Sequence, residues 1–290
     1  MTFLESSAGL AVGYAGMAII GYFLGGFLSR AAFRIPAEEP VMKPGPHCMS
    51  CKEPIAMTDR LPVIGWFLVG GKCRKCGEPV SWLYPIMELL TPLLFVLVFW
   101  RFGWTVAMPV YAAFAAAMVL VTFVDLIDWT IPDEVSIPGM FIGVACGLVA
   151  MVFPESGLRI DRLYENVFDA IGGILVGGGV LVALDQGALL LLKKKGMGFG
   201  DVKLNAMIGA FIGYKGVLLS TFFFASILGA IVGVAMVLWK RSRAEEDDLE
   251  DDENYLPFGP YLALGGLIVV FFGADIVDFY LNSMPQSSVY

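Results

Sequence analysis

Eight apolar runs, at roughly 8–29, 84–100, 105–124, 136–153, 167–192, 202–214, 217–239 and 258–280, leave this 290-residue chain few choices of fold. A spanning helix needs about 20 mainly apolar residues, and most of these runs reach that length. They do not alternate and are too long for barrel strands, which excludes a β-barrel. With 58% hydrophobic and 16% charged residues and a mean hydropathy of +0.75, the chain has too little polar surface for a soluble globule. The expectation is an all-α polytopic membrane protein of about eight transmembrane helices. The first run lacks an A-x-A-like cleavage site and is followed by Arg30 and Arg34, so it reads as a retained span.

Basic residues set the orientation. Placing Arg30, Arg34, the 40–80 segment, Lys193 to Lys195, Lys203 and Lys240 to Arg243 in the cytoplasm puts 15 of 19 Lys and Arg there. Arg101, Arg159, Arg162 and Lys215 fall outside, as do both chain ends. The run 202–214 is short for a span, but 202–239 must cross twice or not at all for Lys193–Lys195 and Lys240–Arg243 to share a side. Two short crossings fit, with thinning of the bilayer or a watery cavity near Asp201. The net charge of -8 comes largely from AEEDDLEDDEN at 244–254, which supplies eight of the 27 acids. That run reads as a solvated cytoplasmic loop able to attract basic peptides.

Between the first two spans lies the one sizeable polar insertion, and it carries two C-x2-C knuckles, Cys48–Cys51 and Cys73–Cys76, separated by 21 residues. Four thiolates on two tight turns can close a tetrahedron around Zn2+, and a reducing cytoplasm keeps them available. Some forty residues with few large apolar side chains need such a metal to fold. Two disulfides or a thioredoxin-like redox pair are the competing readings. The chain then divides into a first helix (1–37), a cytoplasmic four-cysteine zinc module (38–83) and a transmembrane domain (84–290). His47 adjoins Cys48 and reads as a neighbour of the knuckle rather than a ligand. Cys146, alone in an apolar run, reads as packing.

A single histidine removes H-E-x-x-H zinc hydrolysis and makes Ser-His or Cys-His catalysis improbable. Carboxylates remain. Asp125 ends an apolar run in TFVDLIDWTIPD and Asp201 opens another in GFGDVK, both on the cytoplasmic side. An acid at the edge of hydrocarbon is costly without a task or a partner. Two aspartates sharing one proton can activate water and protonate a leaving amine. Asp125 closes a helix, where the dipole disfavours the anion, whereas Asp201 precedes one, so Asp201 is the expected more ionised partner. Each has a duller alternative: Asp201 as a helix cap, Asp125 as a partner of Lys203. Asp128 competes with Asp125, and Asp133 reads as a cap. Glu88, one turn inside the second span, invites a role or an interfacial ion pair. The glycines at 172–173 and 177–179 read as close helix packing rather than a nucleotide loop. An ion- or proton-coupled transporter with a structural zinc module is the rival of a hydrolase, although no internal repeat between the halves supports it.

The segment HCMSCKEPIAMTDRLPVIGWFLVGGKCRKCGEPVSWLYPIMELLT, together with DLIDWTIPD and GFGDVK, resembles the bacterial type IV prepilin peptidases, bifunctional leader peptidase/N-methyltransferases grouped with the GxGD membrane aspartyl proteases. The resemblance implies catalytic roles for Asp125 and Asp201 and zinc ligation by Cys48, Cys51, Cys73 and Cys76. It implies a multi-pass enzyme of the bacterial inner membrane that cuts the basic leader from prepilins and pseudopilins at the cytoplasmic face. It also implies methylation of the new N-terminus with S-adenosylmethionine. Gly25 to Arg30 (GGFLSR) and Gly45-Pro46-His47 depart from the usual family wording. Neither the S-adenosylmethionine site nor the oligomeric state is legible.

Overall fold

Every apolar run folds as helix. The computed structural model describes residues 6–193, 198–241 and 257–283. It contains seven helical stretches long and apolar enough to cross a bilayer, and only isolated β-bridges among the described residues. The chain divides into two units, Met1–Pro132 and Asp133–Tyr290.

In the first unit, α1 (Ser7–Arg34) starts where Ser6 Oγ accepts the Gly9 N–H at 3.1 Å, satisfying one orphan donor of the first turn. It packs on α3 (Leu83–Phe102) and α4 (Ala107–Asp128). Aromatic rings fill this interior: Phe99, Tyr111 and Phe114 are buried, and Phe102 stacks on Tyr111 with centroids 4.4 Å apart. Helix α4 ends because Trp129 turns into the left-handed region (φ 58°), its N–H closing on the Asp125 carbonyl at 3.0 Å.

Between α1 and α3 the chain runs without strands, adding only the short helix α2 (Ile64–Leu68) and a single turn at Thr58–Arg60. Arg34 anchors it. Only 3% exposed, its guanidinium donates to the carbonyls of Pro40, Val41, Pro44 and Gly45 at 3.0–3.3 Å. Five fixed N–H donors let one arginine satisfy a whole turn of backbone, so no carboxylate is needed to bury it.

The second unit holds α5 (Asp133–Val152), α6 (Val167–Leu192), α7 (Phe199–Leu218), a π-helical stretch (Leu219–Ala225), α8 (Ser226–Arg241) and α9 (Gly259–Ser283). Helix α7 is its centre, buried continuously from Leu204 to Gly213 against α5, α6 and α9. The glycine cluster of α6 is where the backbones meet: a Cβ on Gly173 would lie 1.9 Å from the Gly209 carbonyl oxygen. Small residues of this kind let membrane helices approach closely.

The apolar stretch Phe199–Met236 is 38 residues long, which as one straight helix would reach about 57 Å, far beyond the hydrocarbon thickness of about 30 Å. It is not straight. Gly213 has φ 74° and ψ 171°, a conformation open to glycine, and the chain reverses there. Thr221 Oγ1 donates to Asn205 Oδ1 at 2.8 Å although the two are 16 positions apart, a separation of about 24 Å along an unbroken helix. The stretch therefore makes two passes, which brings the apolar passes among the described residues to eight. Grouping of the helix ends agrees. Arg162 Nε lies 2.7 Å from Asp278 Oδ1, and Lys215 Nζ donates to the Arg162 carbonyl at 3.3 Å, which gathers one end of α9 with the turn after Gly213. At the other end of this unit, Lys203 meets Asp133. The acidic run 244–254 and Lys194, Lys195 and Arg243 lie outside the described residues.

Candidate active site and metal centre

The cysteine segment is built from one device used twice. In CMSCKEP and CRKCGEP the first cysteine's N–H donates to the carbonyl of the glutamate five residues on, at 2.9 Å in each (Cys48 to Glu53, Cys73 to Glu78). The residue after the second cysteine takes positive φ, Lys52 at 57° and Gly77 at 74°. Each turn then closes with an antiparallel bridge, His47 with Pro54 and Lys72 with Pro79. The repeat C-x2-C-x-E-P, visible in the sequence, is the signal that both knuckles share one geometry.

These turns bring all four Sγ atoms within 4.8 Å of one another. Cys48 and Cys76 stand 3.9 Å apart, as do Cys51 and Cys73. That is too long for a disulfide at about 2.05 Å. It matches the edge of a tetrahedron with Zn–S bonds of about 2.3 Å, an edge of about 3.8 Å. Backbone N–H groups of Cys76 and Lys75 bring the Cys73 thiol down to about 6, while burial and the neighbouring thiols push Cys76 up to about 12, so the four sulfurs share their protons unevenly. The residues present fit a closed Zn2+ site with four protein ligands. Beside it, Arg74 Nε lies 2.6 Å from Asp59 Oδ2, and the guanidinium keeps that carboxyl below its ordinary value.

His47 stands outside the thiol cluster. His47 Nδ1 lies 2.8 Å from Arg34 Nη2 and 2.9 Å from the Gly45 carbonyl oxygen, and its Nε2 lies 3.4 Å from Glu39. The histidine thus locks α1 to the first knuckle. Cys146 is buried within α5.

Asp125 and Asp128, one turn apart on α4, differ in environment. Asp125 is 5% exposed, whereas Asp128 is exposed and accepts from Thr130 Oγ1 at 3.0 Å. In the second unit, Asp201 is the third residue of α7 rather than a residue ahead of it, and the N-cap is Gly198. It still lies where first-turn N–H groups favour an anion. Lys203 is taken by Asp133, its Nζ 2.7 Å from both carboxylate oxygens and 5.1 Å from the Phe199 ring centroid. Asp133 opens α5, and its carboxylate serves this ion pair between the starts of α5 and α7.

Sequence reasoning left Glu88 without an assignment. Buried at 9% exposure, it accepts from Ser29 Oγ on α1 at 2.9 Å and from the backbone N–H of Val63. Val63 carries φ 61°, which a β-branched residue rarely adopts, and Tyr22 Oη donates to the adjoining Pro62 carbonyl at 2.8 Å. Glu88 therefore ties the loop before α2 onto α1 and α3. Tertiary contacts of this kind leave no local pattern in a sequence.

Comparison with known proteins agrees with this anatomy. The family model for the bacterial peptidase A24 N-terminal domain matches residues 19–102, and that for the type IV leader peptidase family matches residues 112–234. The chain is 31% identical to a prepilin leader peptidase/N-methyltransferase of Xanthomonas campestris pv. campestris, over 97% of this chain and 98% of that protein. Proteins of the same name from Bacillus subtilis (29% identity, 91% of this chain and 96% of the relative) and Myxococcus xanthus (28%, 88% and 89%) are also similar. No solved structure matches. Apolar helices long enough to cross a bilayer, a cluster of four cysteines after the first helix and near full-length similarity lead to one conclusion: the chain is a membrane-embedded member of the type IV leader peptidase family, the prepilin leader peptidase/N-methyltransferases.

Proposed function

We propose that this enzyme is an aspartic endopeptidase of the bacterial inner membrane that removes the basic leader from type IV prepilins and pseudopilins at the cytoplasmic face, with Asp125 and Asp201 as the catalytic pair. The observation that carries the reading is the similarity to prepilin leader peptidase/N-methyltransferases over 97% of the chain. Burial of Asp125 beside an exposed Asp128, and the place of Asp201 in the first turn of α7, support the choice of residues. Family membership also sets the transporter reading aside.

The substrate enters as a helix and must unwind near the interface before its carbonyl can be attacked. One carboxylate, ionised, takes a proton from water as the oxygen attacks the scissile carbon. The other, protonated, donates to the carbonyl oxygen and thereby stabilises the charge that develops there. Collapse breaks the C–N bond, the leaving amine takes a proton, and the pair returns to its singly protonated state. Asp201 is the partner that the α7 dipole favours as anion.

The same protein then methylates the new N-terminal amine. S-adenosylmethionine, when bound, would supply an electrophilic methyl group to that amine in its neutral form. The four cysteines would hold Zn2+ as a structural ion, supplying all four ligands of a tetrahedral site.

Purified enzyme incubated with a prepilin, with and without S-adenosylmethionine, tests the reading by product mass. Loss of the leader in both samples and one added methyl only with the donor is expected. An unchanged prepilin under conditions where the zinc module is loaded contradicts it.

A further inference from the structure

A cavity of about 390 Å3 lies inside the first unit, between the ends of α1 and α3 on one side and the two knuckles on the other. Its size falls within the range of about 300–1,000 Å3 usual for small-molecule sites, and its walls combine aromatic rings with a few convergent charges. Two other cavities lack aromatic walls: one beside Arg162 and Lys215 lies at the opposite end of α7 from Asp201, and one beside Glu39 is lined by four prolines among charged residues.

Three features of the cavity match one kind of ligand. Trp66 and Tyr84 line it, and Tyr84 is held by stacking on Phe33 with centroids 4.2 Å apart and planes within 4°. Flat rings fixed in this way accept a nucleobase. Arg30, half-buried in the wall, makes no hydrogen bond among the described residues, so its planar fork remains available for a carboxylate. Glu88 brings a buried anion, and the Arg30 and Glu88 charges attract. A carboxylate with two or more lone pairs still open suits a cation or a ribose diol.

We infer that this cavity is the methyl-donor site: it takes a sulfonium nucleoside amino acid, S-adenosylmethionine, with the adenine against Trp66 and Tyr84 and the amino-acid carboxylate on Arg30. The inference rests on the methylation reading given above. It assigns the donor to the zinc-bearing unit and gives the cysteine turns a second task, since Cys48 and Cys73 stand in the cavity wall and zinc would fix its shape. Glu88, by holding Val63 in its strained turn, positions the start of α2, the helix that carries Trp66.

Ultraviolet crosslinking of methyl-labelled S-adenosylmethionine to the full-length, zinc-loaded enzyme, followed by peptide mapping, tests it. Label on peptides containing Trp66 or Tyr84, competed by S-adenosylhomocysteine, is the expected result. Equilibrium dialysis of Arg30→Gln is expected to show binding about tenfold weaker or worse while zinc stays at one per chain, which establishes that the module is intact. Label confined to peptides from residues 133–283, or undiminished binding by Arg30→Gln, overturns the assignment. Should the enzyme cleave and methylate but bind the donor elsewhere, only this site falls. Should it cleave yet neither bind nor methylate, the methylation reading falls and the site with it.

Discussion

Asn205 and Thr221 share a 2.8 Å hydrogen bond across the reversal at Gly213, and Asn205 Nδ2 donates in turn to the Gly177 carbonyl on α6 at 2.8 Å. One buried amide thus joins three passes of the chain. Replacing Asn205 by Ala and Thr221 by Val, singly and together, should give a coupling energy of about 0.6–2 kcal/mol by thermal unfolding in detergent. Gly213→Ala should cost about 2 kcal/mol or more, because φ is 74° and a Cβ would lie 2.3 Å from the Leu163 carbonyl oxygen. Strictly additive single effects would mean that the two helices do not turn back on each other.

Zinc removal is expected to act on the first unit locally. The 35–82 segment has no strands and little apolar core, so chelation or Cys51→Ser should expose it to trypsin at Lys72, Arg74 and Lys75 while the helical circular dichroism barely changes. Metal analysis of the intact protein should give one zinc per chain. Unchanged protease resistance after complete metal loss would refute a structural role.

Much of this was legible beforehand, and the limits are physical. Apolar runs reveal spans because lipid forces every backbone polar group to be satisfied within a helix. Spacing exposes the knuckles because four ligands on two tight turns must repeat locally. The reversal at Gly213 was implied only by charge bookkeeping, since a glycine does not announce its φ. Asp201 was expected ahead of its helix, but helix boundaries shift by a residue or two, and Gly198 takes the cap instead. Lys203 meets Asp133, an acid read from the sequence as a helix cap; which of several acids meets a lysine depends on tertiary approach. The same holds for Glu88 with Val63 and for Arg34 with its carbonyls.

The Lys203–Asp133 pair joins the starts of α5 and α7 two residues from Asp201. With Asp133 half-exposed, the pair should contribute no more than about 1 kcal/mol to stability. Lys203→Gln should nevertheless slow leader cleavage about tenfold, mainly through kcat, by loosening the turn that carries Asp201. Exchanging the charges, Asp133→Lys with Lys203→Asp, should recover part of the rate. A double variant slower than either single one would show that the lysine acts otherwise.

Orientation can be read by labelling. Lys215→Cys should react with an impermeant maleimide in spheroplasts, whereas Lys52→Cys should react only after lysis. The reverse pattern would place the cysteine turns outside and contradict cleavage at the cytoplasmic face.

The central claim is that two carboxylates act as one catalytic unit. Single-turnover cleavage of a prepilin by Asp125→Asn, Asp201→Asn and the double variant tests it most directly. Each single change is expected to lower the rate by more than about 10³-fold, and the double change to add almost nothing, because members of one catalytic unit are non-additive. Cleavage within a few-fold of wild type by either single variant, or a double variant whose loss is the product of the two, would contradict the account.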